Sequence, residues 1–186
     1  YVSQFIVFVL MFARIASLIV IAPILGHQAI PVQVKVALAI FLAFVLFPMQ
    51  SSMTMKVDIK LIGIAVLVLE EIIVGLIIGF ATGLIFAGIR YAGDLIGFDM
   101  GYSIASVYDP ETNATVPVVG EVLYTFMALL FLLLNGHHFV LQALQLSYMA
   151  VPIGGLSITA IAAEKFVGIT GLLLVVAVKF AAPVIV

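Results

Sequence analysis

The sequence contains no cysteine, which excludes disulfide frameworks, thiolate zinc centres and thiol nucleophiles. The zero count is compatible with any redox compartment. Charge is almost as scarce: Lys and Arg number 7 and Asp and Glu 9 in 186 residues, or 9% of the chain. A soluble domain carries about 25%. So few charges cannot cover a water-facing surface, and most of the outside must meet lipid or apolar protein. With a net charge of −2 and no basic stripe, nucleic acid is excluded as a partner. The opening also lacks a basic segment ahead of its apolar run, and Arg14 sits inside that run, so it does not read as a cleavable signal. The sequence begins at Tyr1 without methionine and stops at Val186 within an apolar stretch, which we read as a piece of a longer chain.

What remains is apolar. Hydrophobic residues make up 66% and mean hydropathy is +1.41, values that point to an all-α integral membrane protein with one embedded domain over residues 1–186. The long apolar windows are Phe5–Leu25, Val36–Met49, Leu61–Ile89, Val122–Val151 and a last one from Phe166 onward through Pro183. The second is short for a span, which needs about 20 residues. The third is long enough to tilt or break. The fourth is interrupted at Asn135-Gly136-His137-His138, which predicts two half-helices or a hairpin. Gly26 and Pro31 predict a turn after the first window, Pro48 an end to the second, and Pro152-Ile153-Gly154-Gly155 a stop before the last. Lys56 and Lys60 favour a cytoplasmic loop after the second window, with the N-terminus on the same side.

Residues 90–121 differ in kind. Asp94, Asp99, Asp109, Glu111 and Glu121 lie here against the single base Arg90, together with Gly93, Gly97, Gly101, Pro110 and Pro117. We expect a long polar loop, and such insertions are uncommon unless functional or disordered. Large side chains, Phe98, Met100 and Tyr102, alternate with the glycines. That mixture suits a segment that closes a passage and later moves aside, and it equally suits a helix end packed on a neighbour.

Three other features could carry chemistry. Arg14 lies mid-window, where a base costs about 2.5–3.5 kcal/mol to insert. Glu70 and Glu71 are its candidate partners, and Glu71 is the better placed. Stepping by four from Glu71 gives Gly75, Gly79, Gly83 and Ala87, a small-residue stripe that admits another backbone. A carboxylate on that stripe faces protein. A structural ion pair is preferred over an ion or proton relay, although the relay would make the chain a small-solute or ion transporter. His137 and His138 point about 100° apart on a helix and cannot share a metal as an i, i+4 pair would. Ala92-Gly93-Asp94 and Tyr108-Asp109 faintly resemble the paired-aspartate motifs of intramembrane aspartyl proteases, but Tyr91 replaces a glycine and the motif order is reversed. Asn113-Ala114-Thr115 fits a glycosylation sequon that arises often by chance.

One family matches the pattern as a whole. Arg14 with Ser17, Ala22-Pro23, Gly26, Ile30-Pro31, Lys35, Leu38-Ala39 and Pro48 resemble the opening of the FliR family, membrane components of the bacterial flagellar type III export gate. The likeness continues in Ala92-Gly93, Ile96-Gly97, Met100-Gly101-Tyr102-Ser103, Ala105, Asp109-Pro110 and Pro117. It is carried further by Phe131, Gly136-His137, Ser147-Tyr148, Pro152-Ile153-Gly154, Lys179 and Pro183. The related injectisome gate proteins share the pattern, and the family's region beyond Pro183 is absent. The resemblance implies a non-enzymatic subunit without cofactors in the bacterial inner membrane, at the flagellar basal body. Its implied partners are FliP-like and FliQ-like subunits in a conical gate, an FlhB-like switch protein and unfolded exported flagellar proteins. It also implies a plug around Gly97 to Pro110, including Phe98, Met100, Gly101, Tyr102, Ser103 and Asp109.

Overall fold

The structure, a computed structural model, describes residues 2–50, 61–100, 106–109 and 114–154. Its helices are α1 (Val2–Ile21), α2 (Val32–Gln50), α3 (Leu61–Asp99), α4 (Val118–Leu133) and α5 (Gly136–Ala150). Between α3 and α4 a small antiparallel hairpin joins β1 (Ser106–Asp109) to β2 (Ala114–Pro117), with Val107 opposite Val116 and Tyr108 opposite Thr115. The chain is an all-α membrane protein apart from that hairpin. By length and composition α1 and α3 are each able to cross a membrane, and α4 with α5 form a third candidate broken by a bend. The described residues pack as two compact units. One comprises residues 2–50, 61–80 and 141–154, the other 81–100, 106–109 and 114–140.

Several boundaries differ from those expected. The first helix stops at Ile21, earlier than Leu25, because Pro23 follows and Ile24 takes a left-handed φ of 71°. The chain reverses over 22–31, as Gly26 and Pro31 predict. Pro31 then accepts from the amides of Val34 and Lys35, so α2 begins at Val32, four residues before the apolar window. Pro48 lies in the last turn of α2, which runs to Gln50, close to the end that Pro48 followed by Gln50-Ser51-Ser52 predicts. The largest correction concerns α3. It does not stop at Ile89 but carries the start of the expected polar loop as helix to Asp99. No proline intervenes before Pro110, and Arg90 pairs with Glu121 on α4, so the helix has no physical reason to end where the hydropathy does. The interruption in the fourth window is real: Leu134 and Asn135 separate α4 from α5, and Asn135 adopts a φ of 55°. Lys56, Lys60 and the last apolar window lie outside the described residues.

In the first unit α1 is the central helix. Leu10, Met11, Ile15 and Ile19 are fully buried on it. Against it α2 places Ala39, Ala43 and Leu46, one turn apart, and Phe47 meets Phe8 edge to face at 6.2 Å. The opposite side of α2 leaves Ile40, Phe41, Phe44 and Val45 bare. Glycine sets the approach of α3. A Cβ at Gly75 would collide with the Ser17 hydroxyl and the Arg14 carbonyl, and one at Gly79 would lie 3.0 Å from the Leu18 carbonyl. Since 14, 18 and 21 on α1 advance alongside 71, 75 and 79 on α3, the two segments run parallel there. In the second unit Phe86 meets Tyr124 and Phe131 edge to face at 5.8 and 5.4 Å. Further along, Gly93 touches Gly120 and Gly97 faces Val119, so α3 and α4 run antiparallel.

These approaches generate a contrast between two glycines on one helix. Gly75→Ala is expected to cost about 1–3 kcal/mol, the usual penalty of overpacking, because backbone must give way. Gly88, with nothing within 4 Å of a would-be Cβ, is expected to gain about 0.5–1 kcal/mol on the same change. Thermal aggregation midpoints in mild detergent should move in opposite directions; equal midpoints would contradict the packing described.

Candidate functional site

Arg14 is completely buried in an apolar helix, and its surroundings are built to receive it. Nε donates to Glu71 Oε2 at 2.5 Å, Nη1 to the Ser147 hydroxyl at 3.2 Å, and Nη2 to the Val151 carbonyl at 3.1 Å. The other oxygen of Glu71 accepts the Gly154 amide at 3.1 Å. Tyr148 covers the guanidinium with its ring face at 4.4 Å from the Arg14 Cζ, and its hydroxyl points to the Met11 carbonyl at 3.5 Å. Each of these contacts follows from local structure. Glu71 reaches Arg14 because Gly75, one turn later, lets α3 lie on the α1 backbone. The Gly154 amide is free to donate because the chain leaves α5 at Val151 and turns, with Gly154 at a φ of 66°.

This arrangement favours the structural reading of Arg14. Every oxygen and nitrogen named above is committed to a fixed partner, and the pair is closed over by an aromatic ring. Such a constellation holds two charges in place and does not pass a proton onward. It is a structural ion pair tying segments of α1, α3 and α5 together. Of the other residues on the stripe, Gly79 contacts α1, while Gly83 is half-buried within the second unit. Glu70 does not join the network: it is buried, and its Oε2 meets no hydrogen-bond donor. Sequence reasoning found the pair and missed Ser147, Tyr148 and Gly154 as its completion. The available signal was a serine in an otherwise apolar helix, followed by a turn.

The second candidate region is the segment between α3 and α4. Arg90 lies 3.0 Å from Glu121, both half-exposed, with Tyr124 beside the guanidinium at 5.7 Å. One turn on, the Asp94 carboxylate presses on Gly120 in the first turn of α4, a helix that starts at Pro117 without a side-chain cap. A negative charge at a helix start is favoured by about 0.3–1 kcal/mol. These contacts pin the root of the segment. Gly97 is buried there, whereas Phe98 and Met100 are 71% and 62% exposed. Asp109 closes β1 opposite Ala114. Gly101, Tyr102, Ser103 and Pro110 lie outside the described residues. His137 and His138 are stacked edge to face at 4.5 Å, beside the break between α4 and α5. Among the described residues no cluster of metal-ligand type occurs.

Residues 5–186 match the family described as bacterial export proteins, family 1. The chain belongs to that family. Among its curated relatives is the flagellar biosynthetic protein FliR of Bacillus subtilis (strain 168), 34% identical over 154 residues, which are 82% of this chain and 58% of the relative. The FliR protein of Escherichia coli (strain K12) is 34% identical over 142 residues, 76% of this chain and 54% of the relative. The surface presentation of antigens protein SpaR of Shigella flexneri is 29% identical over 148 residues, 76% of this chain and 55% of the relative. The chain thus spans little more than half the length of these relatives, at 54–58%. Family membership leaves the transporter and aspartyl protease readings without support.

The closed ion pair makes a double-mutant prediction. Removing one partner, as in Arg14→Met or Glu71→Leu, is expected to cost about 3–5 kcal/mol because the other charge stays buried and unpaired. The double variant should recover a large share of that loss. Detergent unfolding of the two single variants and the double variant measures the coupling; additive losses would show that Arg14 and Glu71 do not form a closed pair.

Proposed function

We propose that this chain is a structural, non-enzymatic subunit of the flagellar type III protein export gate. In this reading it forms part of the wall of the pore through which unfolded flagellar proteins leave the cell. It stands in the bacterial inner membrane at the flagellar basal body, assembled with FliP-like and FliQ-like subunits and an FlhB-like switch protein. The observation that carries the reading is the extended match to flagellar biosynthetic proteins, 34% identical across 82% of this chain. Geometry supports it from two sides. Arg14 and Glu71 are satisfied within the first unit, so the ion pair serves shape. The outer side of α2 presents bare phenylalanines, a surface suited to burial against other apolar helices.

The segment around Gly97 to Pro110 is the plug in this reading. Its root is pinned by the contacts of Asp94 and Arg90, and Phe98 and Met100 project uncovered from it. A hairpin between two helix ends is short enough to fill a narrow passage.

Two measurements test the reading and its finer part. Pull-down of the full-length protein in mild detergent, followed by mass spectrometry, is expected to recover FliP-like and FliQ-like subunits in fixed ratio; recovery alone or as a homo-oligomer would overturn the gate assignment. Shortening residues 97–110 is expected to make cells leak ions while the subunits still assemble. A tight membrane with normal export after that deletion would remove the plug from the proposal and leave the wall.

A further inference from the structure

Among the described residues, Glu70 is the polar side chain that the interior of the first unit leaves unaccounted for. It is only 9% exposed, and its Oε2 is buried with no donor. Its neighbour Glu71 is fully engaged by Arg14 and the Gly154 amide. The Lys and Arg side chains among the described residues are committed elsewhere. Arg14 holds Glu71, Ser147 and Val151, Lys35 donates to the Gly26 carbonyl at 2.8 Å, and Arg90 sits on Glu121. A covered carboxylate with no donor is strongly unfavourable, and a partner that supplies one gains accordingly.

The surface beside it is apolar and bare. Ile62, Val66 and Leu69 recur at i, i+4 and i+7 on α3, and all three are exposed. Val66 precedes Glu70 by one turn, so the carboxyl lies at the rim of this stripe. An apolar stripe with an acid at its edge is complementary to an apolar helix bearing one Lys or Arg. Resting on the export-gate reading, the geometry points to this face of α3 as the docking surface for a helix of a different membrane subunit, whose Lys or Arg reaches Glu70. The described bases of a second copy are committed in the same way. Between apolar helices, contact alone leaves rotation and register open, and one matched charge fixes both.

The test uses the full-length protein assembled in membranes with its gate partners. A photo-crosslinker at Leu69 is expected to map to a single partner helix that carries a Lys or Arg. Glu70→Lys is expected to lower recovery of that partner in mild detergent by at least about tenfold, and Glu70→Gln by a smaller factor. Changing the partner's base to Glu is expected to restore recovery with Glu70→Lys. Crosslinks that land on lipid or on this chain, or unchanged recovery with Glu70→Lys, overturn the docking proposal. So does a loss that the reversed charge does not restore. In those cases the gate reading stands so long as the wild-type chain still brings its partners; a wild-type chain that brings none overturns both.

Discussion

A guanidinium with no access to water must be met by hydrogen-bond acceptors, and the first unit is organised around that demand. Arg14 cannot be left alone in an apolar interior, where an unpaired charge costs several kcal/mol. Satisfying it requires a carboxylate from α3, a hydroxyl from α5 and a carbonyl from the turn after α5 to converge on one point of α1. The convergence in turn requires α3 to lie closer to α1 than any side chain at position 75 would allow. The small residue, the bend at Gly154 and the tyrosine cover are therefore consequences of one buried base. A pair of this kind adds little net stability over a well-packed apolar substitute, but it makes alternative arrangements of the same helices costly. Apolar helices slide easily against one another, so that specificity matters more here than in a soluble core.

The second unit is held by a different kind of contact. Its ion pair between Arg90 and Glu121 is half-exposed, a setting in which such pairs contribute about 0–1 kcal/mol. Shape carries more of the load: Gly93 against Gly120, and Phe86 between Tyr124 and Phe131. A closed, dry ion pair resists movement because opening it exposes two charges to an apolar medium. A glycine contact with a wet ion pair beside it opens at much lower cost. The element that the export reading requires to move is the hairpin between α3 and α4, and it is rooted in contacts of this second kind.

The pairing of Arg14 with Glu71 was legible in the sequence because both effects that produce it are periodic or singular. A lone base in an apolar run needs an acid, and the glycine spacing from Glu71 identifies which acid faces protein. The break at Asn135 was legible because polar residues and glycine interrupt an apolar run there. The end of α3 was not. Hydropathy falls at Arg90, but a helix needs hydrogen bonds and an absence of proline, not apolar side chains, and it continues to Asp99. Ser147, Val151 and Gly154 were hidden for another reason. They contribute to the Arg14 site from more than 130 residues away, two of them through backbone groups that every residue possesses. The family resemblance quoted Ser147, Tyr148 and Gly154 without assigning them a role, and the geometry supplies it.

The length of α3 bears on where its apolar surface is covered. From Leu61 to Ile89 the helix is almost continuously apolar for 29 residues, or ~43 Å at 1.5 Å per residue. The hydrocarbon core of a bilayer is about 30 Å thick. Fitting that apolar length into lipid by tilt alone would need an inclination of about 45°, beyond the range of roughly 0–40° in which spanning helices lie. Glu70 and Glu71 stand about a third of the way along this stretch, where lipid would be a poor neighbour for either. Glu71 is covered by its own chain. In the proposed gate, the remaining surface would be covered over part of its length by the apolar helices of other subunits. On that proposal the hydropathy of α3 reflects burial against protein as well as contact with lipid. An apolar length that overshoots the membrane is what a wall subunit of such an assembly requires.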